Sequence, residues 1–282
     1  MATITAADVM KLRSLTNAPM MDCKAALEKA NGDFEKAIQI LREQSKVISS
    51  KKAGRETAEG RIGIYLDQQR GVAAIVEMRC ETAPVAKSDP FIQLTEDLAR
   101  HVALTPELPQ TVEELLQQPY VDGGGRTVRE RIEETIGIIR ENMRLARFAR
   151  LSGGTVGGYL HFNASTGTIL LAEGTPKDPT VLQDIAMHIT GMQPLALTRD
   201  EIPADVMERE RQIARAQAEQ TGKPAHVLEK IVEGKLRNWL SENVLLEQKF
   251  IKDDSKTVGQ LAQEQGITIQ RFIRFKVGEL TS

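Results

Sequence analysis

The side chains best suited to chemistry in this chain are its histidines and cysteines, and their spacing gives them no common site. No two histidines stand at the spacing of metal ligands, and no serine or cysteine lies beside a histidine. Cys23 and Cys80 are too few for a structural zinc site. The four histidines are His101, His161, His188 and His226. The sequence therefore predicts no catalytic residue, no bound metal and no cofactor.

A glycine-rich segment at residues 122–126, DGGGR, is the remaining candidate for phosphate chemistry. A phosphate-binding loop follows a strand and continues into a Lys-Ser or Lys-Thr pair, and this segment has neither feature. Thr127 and Glu130 instead form a capping box that begins a helix. The apolar positions of that helix are Val128, Ile132, Ile136, Ile139 and Met143. We therefore interpret the glycines as a flexible turn.

The charge balance of the chain argues against a nucleic-acid ligand. It has 37 basic and 39 acidic residues among 282, a net charge of −2, whereas nucleic-acid-binding surfaces carry a basic excess. Aromatic residues are only 4% of the chain, too few for base-stacking platforms. No apolar run reaches the length of a membrane span, and the N-terminus MATITAADVM lacks the features of a secretory signal. We expect a cytoplasmic protein that is not an enzyme and binds neither nucleic acid nor membrane.

Residues 12–42 have the pattern of short helices that pack against one another. Thr5 and Asp8 form a capping box for the first helix, and Asp33 caps the third. Because apolar stripes on short helices are buried against each other, the pattern predicts a compact three-helix module. The stripes are Cys23, Ala26, Leu27 and Ala30 on the second helix, then Phe34, Ala37, Ile38 and Leu41 on the third.

Met20 and Met21 stand at the start of the second helix, before its apolar stripe. Flexible thioethers fill core gaps in many proteins, and they also form adaptable contact surfaces. The sequence leaves both roles open. Because the two methionines precede the stripe, we hypothesise that their side chains are exposed and contact a partner.

A duplication is visible in the middle of the chain. Residues 60–77 and 154–173 both begin with G-x-Ile/Val-G-x-Tyr-Leu, pass through a turn and end in an apolar strand with a glutamate. A helix follows each, with a histidine at the same place, His101 in LARHVA and His188 in IAMHIT. The repeat predicts an α+β core of two β-hairpin-plus-helix units. We expect both histidines to be core or interface residues rather than catalysts.

Composition and helix breaks predict the domain boundaries. We interpret residues 45–58, SKVISSKKAGRETA, as a linker that is helical in part, because the apolar periodicity is lost there. A charged helical pair extends from Pro203 to about Leu240 and is broken at Gly222-Lys223-Pro224. The predicted divisions are an N-terminal module at 1–53, a core N-half at 57–150, a core C-half at 151–202 and 251–282, and an inserted helical hairpin at 203–250.

Four segments of the chain resemble the bacterial elongation factor Ts family. MMDCKAALEKANGD (20–33) is similar to the N-terminal module of that family almost residue for residue. GKPAHVLEKIVEGKL (222–236) is similar to the family's helical hairpin, and SKTVGQL (255–261) and FIRFKVGE (272–279) are similar to its C-terminal core. The resemblance implies a UBA-like three-helix module, a duplicated core and an inserted antiparallel helical hairpin.

The same resemblance implies a function. Members of the family bind the GTPase elongation factor Tu, in its GDP-bound and nucleotide-free states, and promote release of GDP. They act by coupling rather than by chemistry, because binding of the exchange factor lowers nucleotide affinity and nucleotide lowers the affinity for the factor equally. The resemblance implies no direct nucleic-acid partner and no membrane, and it leaves open a homodimer or a 2:2 complex.

Matched position by position, the family motifs place contacts with elongation factor Tu on four parts of the chain. These are the N-terminal module, a loop after the first hairpin, the end of a core helix, and the second repeat with its return strand. The residues are Leu12, Arg13, Met20, Met21, Lys24, Thr82, Ala83, Pro84, Val85, Ile139, Arg140, His188 and Ile251.

Two of these sites depart from the family pattern. The family motif reads Glu/Gln-Thr-Asp-Phe-Val-Ala-Lys, and its Asp-Phe pair intrudes near the partner's magnesium and phosphate site; here the pair is Ala83-Pro84. The family's Ile-Gly pair is Ile139-Arg140, which adds a cation. Proline disfavours a helical conformation of the preceding residue, so we expect an extended Ala83 in a stiff loop. Because the Asp-Phe pair is replaced, the alternative function is a Tu-binding chaperone or holdase without fast exchange.

Overall fold

The computed structural model describes residues 4–122 and 124–279 of the chain. It has the mixed α+β architecture that the sequence predicts, with antiparallel sheets covered by helices. Within these two ranges, no helix is both long enough and apolar enough to cross a membrane.

The N-terminal module consists of α1 (Ala6–Thr16), α2 (Met20–Lys29) and α3 (Phe34–Lys52). Thr5 and Asp8 form the predicted capping box, and Asp33 caps α3 by accepting the Lys36 N–H over 3.1 Å. Isolated helices as short as α1 and α2 are marginal in water, so the burial of the apolar stripes holds the module together. The buried residues are Val9, Leu12, Ala18, Cys23, Ala26, Leu27, Ala30, Ala37 and Leu41.

The predicted linker at residues 45–58 is helical over its first part, because α3 continues to Lys52. The second half of α3 packs on a core helix, α7 (Val128–Ile139), and this contact stabilises a helical segment in which the apolar periodicity is lost. Gly137 of α7 makes the close approach, since a Cβ atom there would collide with the Ser45 hydroxyl oxygen. The module is therefore docked on the core.

The first core half contains an antiparallel sheet in the order β1 (Glu59–Asp67), β2 (Val72–Cys80) and β3 (Met143–Ser152). β1 and β2 form the first predicted hairpin, with Glu59 opposite Cys80. Met143 begins β3 and does not belong to the preceding helix, which ends where Arg140 adopts a left-handed conformation. The helices of this half are α4 (Ala83–Ala86), α5 (Asp89–Leu104), α6 (Val112–Gln117) and α7.

The second core half repeats this arrangement. Its main sheet has the order β4 (Thr155–Leu160), β5 (Thr166–Glu173) and β8 (Thr268–Lys276), and β4 and β5 form the second predicted hairpin. β6 (Lys249–Phe250) and β7 (Asp253–Thr257) form a separate two-stranded ribbon. The helices of this half are α8 (Val181–Met192) and α11 (Val258–Gln265).

The duplication extends beyond the hairpins. Thr127 caps α7 before β3, and Thr257 caps α11 before β8, each through a capping box. The first main-chain N–H of each capped helix donates to a glutamine carbonyl, that of Gln118 or Gln248, over 3.0 Å in both halves. Each half is therefore a hairpin, a helix with a buried histidine, a capped helix and a third strand.

The two main sheets pack face to face, and helices cover their outer faces. In β2, Ala73 and Ile75 face the second sheet, whereas Ala74, Val76 and Met78 face α5 and α7. In β5, Ile169 and Leu171 face the first sheet, whereas Leu170 and Ala172 face α8. The core therefore has three apolar layers, one between the sheets and one beneath each helical cover.

A buried carboxylate ties the two sheets together at one edge. Glu77 accepts hydrogen bonds from Arg147 over 2.6 Å, from Arg79 over 3.2 Å and from the Gly278 N–H over 2.9 Å. Arg147 also donates to the Lys276 carbonyl over 2.7 Å. Glu77 in β2 therefore anchors the end of β8.

Two further helices, α9 (Ala204–Glu219) and α10 (Ala225–Asn243), pack against each other between α8 and β6 in the chain. Gly222 in the turn between them has a φ of 65°, which a glycine adopts without strain. Short 3-10 turns at Arg199–Glu201 and Leu245–Glu247 flank the pair. The base of the pair packs through Ala196, Ile202, Leu240 and Val244.

Candidate functional site

Met20 and Met21 lie at the exposed start of α2, as predicted. Their exposed fractions are 46% and 73%. Pro19 is the N-cap of the helix, and the stripe that includes Cys23 and Leu27 faces the module core instead. Two flexible thioethers in solvent form a surface that can adapt to a partner.

Of the other candidate residues in the module, Arg13 and Lys24 are exposed, and Lys24 pairs with Glu28 over 3.8 Å. Leu12, in contrast, is completely buried in the module core. The expected partner contact at Leu12 stays a prediction, although the side chain is enclosed in the free module. Leu12 holds α1 in the module, and the adjacent Arg13 reaches the surface.

The loop after β2 is built on Thr82, which is the N-cap of α4. The Thr82 N–H and hydroxyl donate to the Glu141 carboxylate over 3.1 and 2.8 Å. Ala83 and Pro84 are exposed on the first turn of α4, and Val85 is half-buried against the core. The expected extended conformation of Ala83 is wrong, because α4 starts at that residue. Glu141 holds Thr82 as the extended cap and so lets the helix begin before the proline.

Arg140 follows the half-buried Ile139 at the end of α7 and is exposed. Its φ is 68°, in the left-handed region. Its guanidinium forms an ion pair with Asp22, the neighbour of Met21 in α2. The cation that the sequence adds at this position is therefore paired with the N-terminal module.

These contacts bring three distant segments into one surface. Asp22 and Arg140 are 118 residues apart, and Thr82 and Glu141 are 59 residues apart. Because Arg140 and Glu141 are adjacent, the two contacts hold α2, the end of α7 and the first turn of α4 together. We name the exposed residues of these segments, Met20, Met21, Thr82, Ala83, Pro84 and Arg140, the module–loop surface.

Ile251 is a second exposed position, in the turn between β6 and β7. His188 is completely buried beneath it, and its Nδ1 accepts the Ile251 N–H over 3.1 Å. Burial lowers the pKa of His188, and a hydrogen bond with Gln248 opposes that shift. The His188 ring is completely buried in the free protein, and the expected partner contact at His188 stays a prediction. The prediction that His101 and His188 are core residues is confirmed.

The described residues show no arrangement for chemical catalysis. Residues 4–122 and 124–279 contain no group of three or more His, Cys, Asp or Glu side chains that could hold a metal ion. Both cysteines are buried, and burial raises the pKa of Cys23 and that of Cys80, the latter to about 12. Their thiols are therefore protonated at neutral pH and are poor nucleophiles.

The residues that assemble these surfaces are not among those predicted from the sequence. Asp22 and Glu141 are ordinary charged residues whose partners are distant in the chain, so no local signal marks them. Gln248 does have a signal: like Gln118, it precedes an aromatic residue by two positions and a capping threonine by nine. The repeat could therefore have identified Gln248.

Known proteins are similar to this chain over nearly its whole length. A family model described as Elongation factor TS matches residues 81–279. Elongation factor Ts of Thermobifida fusca (strain YX) is 43% identical, over 99% of this chain and 100% of the relative. Elongation factor Ts of Aquifex aeolicus (strain VF5) is 42% identical over 97% of each chain. That of Methylococcus capsulatus is 42% identical over 98% of this chain and 93% of the relative.

Proposed function

The chain belongs to the elongation factor Ts family of translation elongation factors, and we propose that it is the guanine-nucleotide exchange factor of elongation factor Tu. It binds GDP-bound elongation factor Tu, promotes release of GDP and remains on the nucleotide-free form until nucleotide returns. As a translation factor it acts in the cytoplasm. It does no covalent chemistry, since exchange requires only that the factor and the nucleotide weaken each other's binding.

The module–loop surface is the observation that supports this proposal. It joins the exposed Met20 and Met21 to Ala83-Pro84, the position at which the family motif has its Asp-Phe pair. The Asp22–Arg140 ion pair and the Thr82–Glu141 hydrogen bonds hold the two parts together before any partner binds. A preorganised surface loses less conformational entropy on binding, which favours affinity.

The proposed mechanism distributes the coupling over several contacts. Driving a nucleotide site from almost fully closed to almost fully open takes about 5.5 kcal/mol of differential binding. We assign docking to the UBA-like module at 1–53, with further contacts from the core halves at 57–150 and at 151–202 with 251–282. Ile251 lies in the second of these halves, at the end of the helical hairpin proposed at 203–250.

The proposal is tested by release of fluorescently labelled GDP from the cognate elongation factor Tu. We expect a saturable acceleration of release as the concentration of this protein rises, with an excess of unlabelled GDP present to prevent rebinding. Release at the intrinsic rate at every concentration would contradict the proposal. The cognate Tu is required because a mismatched partner could conceal the activity.

Binding of elongation factor Tu without fast exchange, as by a chaperone or holdase, is the second candidate function, and Ala83-Pro84 favours it. Burial of a phenylalanine side chain is worth about 1.5–3 kcal/mol, which a proline ring does not supply in the same way. Replacing Ala83-Pro84 by Asp-Phe distinguishes the two functions. If this chain is an exchange factor, the swap changes GDP release only modestly. A rise of several decades supports binding alone.

A further inference from the structure

A chain of hydrogen bonds beneath Ile251 has only one consistent arrangement of protons. The Ile251 N–H is a donor, so the His188 Nδ1 that lies 3.1 Å from it is the acceptor. In the neutral ring the other nitrogen, Nε2, then carries the proton and donates to Gln248 Oε1, 2.8 Å away. Burial favours the neutral form of His188, which this arrangement requires.

The same hydrogen bonds set the orientation of the Gln248 side-chain amide, which is buried. Because Oε1 accepts from His188, the amide nitrogen faces away from the ring. It donates to the carbonyl of Glu242, in the last turn of α10, over 2.7 Å, and to that of Met192, at the end of α8, over 3.4 Å. Gln248 therefore connects α10, α8 and the turn that carries Ile251.

Exposed apolar side chains lie at two ends of this series of hydrogen bonds. Ile251 is 50% exposed and Met192 is 46% exposed. Ile251 lies against the end of α8 that carries Met192, since a Cβ atom built on Gly191, the residue before Met192, would be 3.6 Å from the Ile251 Cδ1. We name Ile251 and Met192 the apolar ledge.

We propose that Gln248 is a positioning residue for partner binding: it holds Ile251 through His188, and Met192 directly, against elongation factor Tu. The inference rests on the proposed function, which supplies the partner. Gln248 itself does not touch the partner, because it is buried. Its effect is to present the apolar ledge in one conformation, so that binding does not have to order it.

The first core half contains the same histidine–glutamine pair, but its histidine does not hold a following turn. His101 Nε2 lies 3.1 Å from Gln118 Oε1, and the His101 ring stacks on Tyr120. Its Nδ1, however, is buried without a hydrogen-bond partner among the described residues. A histidine–glutamine pair in this fold therefore does not have to hold the following turn. The contact with Ile251 is a feature of the second half alone.

This difference provides a matched control, because Gln248→Met and Gln118→Met remove the same amide from equivalent places. We expect Gln248→Met to raise the concentration needed for half-maximal GDP release from elongation factor Tu by about tenfold, the effect of roughly one lost hydrogen bond. Gln118→Met is expected to leave that concentration within about twofold while lowering the melting temperature similarly. Equal shifts in the two variants, or no shift in Gln248→Met, would overturn the inference.

A measurement on the unmodified protein does not depend on how the variants fold. Nitrogen-15 NMR of the His188 ring is expected to show an unprotonated Nδ1 and a protonated Nε2. Slow exchange of the Ile251 amide hydrogen is expected in the wild type and in Gln118→Met, and fast exchange in Gln248→Met. The opposite tautomer, or unchanged protection of Ile251 in Gln248→Met, would overturn the inference.

The two proposals fail in different ways. If the wild-type protein neither binds elongation factor Tu nor accelerates GDP release, the proposed function and this inference both fail. If the wild type accelerates release and the two glutamine variants behave alike, the proposed function stands and only the positioning role of Gln248 fails.

Discussion

At the scale of single residues, the exposed methionines give the most direct test of the module–loop surface. Truncating Met20 and Met21 to alanine removes solvent-exposed side chains, so the free energy of unfolding is expected to change by less than about 0.5 kcal/mol. If both side chains are buried on elongation factor Tu, the dissociation constant rises by about tenfold or more. Isothermal titration calorimetry and urea denaturation measure the two quantities.

The control for this double variant is Val47→Ala, which truncates an exposed apolar side chain of α3 outside the module–loop surface. It is expected to leave both affinity and stability unchanged. Unaltered affinity in the methionine variant would show that Met20 and Met21 are not contacts.

Arg140 is expected to be a strained position. A left-handed conformation costs a residue with a Cβ atom about 1–2 kcal/mol, and an exposed ion pair such as that with Asp22 contributes about 0–1 kcal/mol. Arg140→Gly is therefore expected to raise the free energy of unfolding by about 0.5–1 kcal/mol. Asp22→Asn removes the same ion pair without relieving the backbone, and it should not stabilise the protein. Urea denaturation of both variants tests this; a less stable Arg140→Gly would show that the ion pair outweighs the strain.

At the scale of elements, Glu77 decides how β8 is attached to the first sheet. Glu77→Ala leaves the partly buried Arg147 and Arg79 without their carboxylate, and breaking such a pair costs about 3–5 kcal/mol. Glu173 ends the corresponding strand of the second hairpin, but it is exposed and accepts only a 3.3 Å hydrogen bond from Gln270. Glu173→Ala is therefore the matched control and is expected to cost less than about 0.5 kcal/mol.

Hydrogen exchange of the β8 amides gives the readout specific to that attachment. In Glu77→Ala, the amides near Lys276 are expected to lose protection before those of β2. Equal costs of the two glutamate variants would show that the buried carboxylate contributes nothing beyond an exposed one.

At the scale of the whole molecule, the two buried histidines make stability depend on pH. Burial lowers the pKa of His101 and that of His188 below 6.5, although hydrogen bonds with Gln118 and Gln248 oppose the shift. Below pH 6.5 the unfolded chain therefore binds more protons than the folded one. The contribution of the two histidines to the free energy of unfolding is fully present above pH 6.5 and is lost as the pH falls through their lower folded pKa values. The loss is at most about 1.4 kcal/mol per pH unit for each histidine.

Urea denaturation between pH 8 and pH 5 measures this loss. The variant His188→Gln is expected to be less stable at pH 8 and to show a shallower decrease on acidification. A free energy of unfolding that stays constant from pH 8 to pH 5 would contradict the prediction.

Helix caps, the two hairpins and the mixed α+β class of this protein can be predicted from its sequence alone. The capping boxes at Thr5 and Thr127 involve residues three positions apart, and each hairpin joins adjacent strands, so residue types and spacing were enough to predict them. The exposure of Met20 and Met21 also followed from spacing, because it depends only on which side of α2 carries the apolar stripe. Resemblance of motifs determined the family.

Where these elements meet depends on packing between segments that are distant in the chain. α3 extends to Lys52 because it packs on α7, and Arg140 is neutralised because Asp22 lies opposite it. Leu12 and His188 are buried by what packs over them, which their own neighbours in sequence do not reveal. The physical reason is the same in each case: contacts between segments far apart in the chain depend on how the layers pack, and they leave no periodic pattern in the sequence.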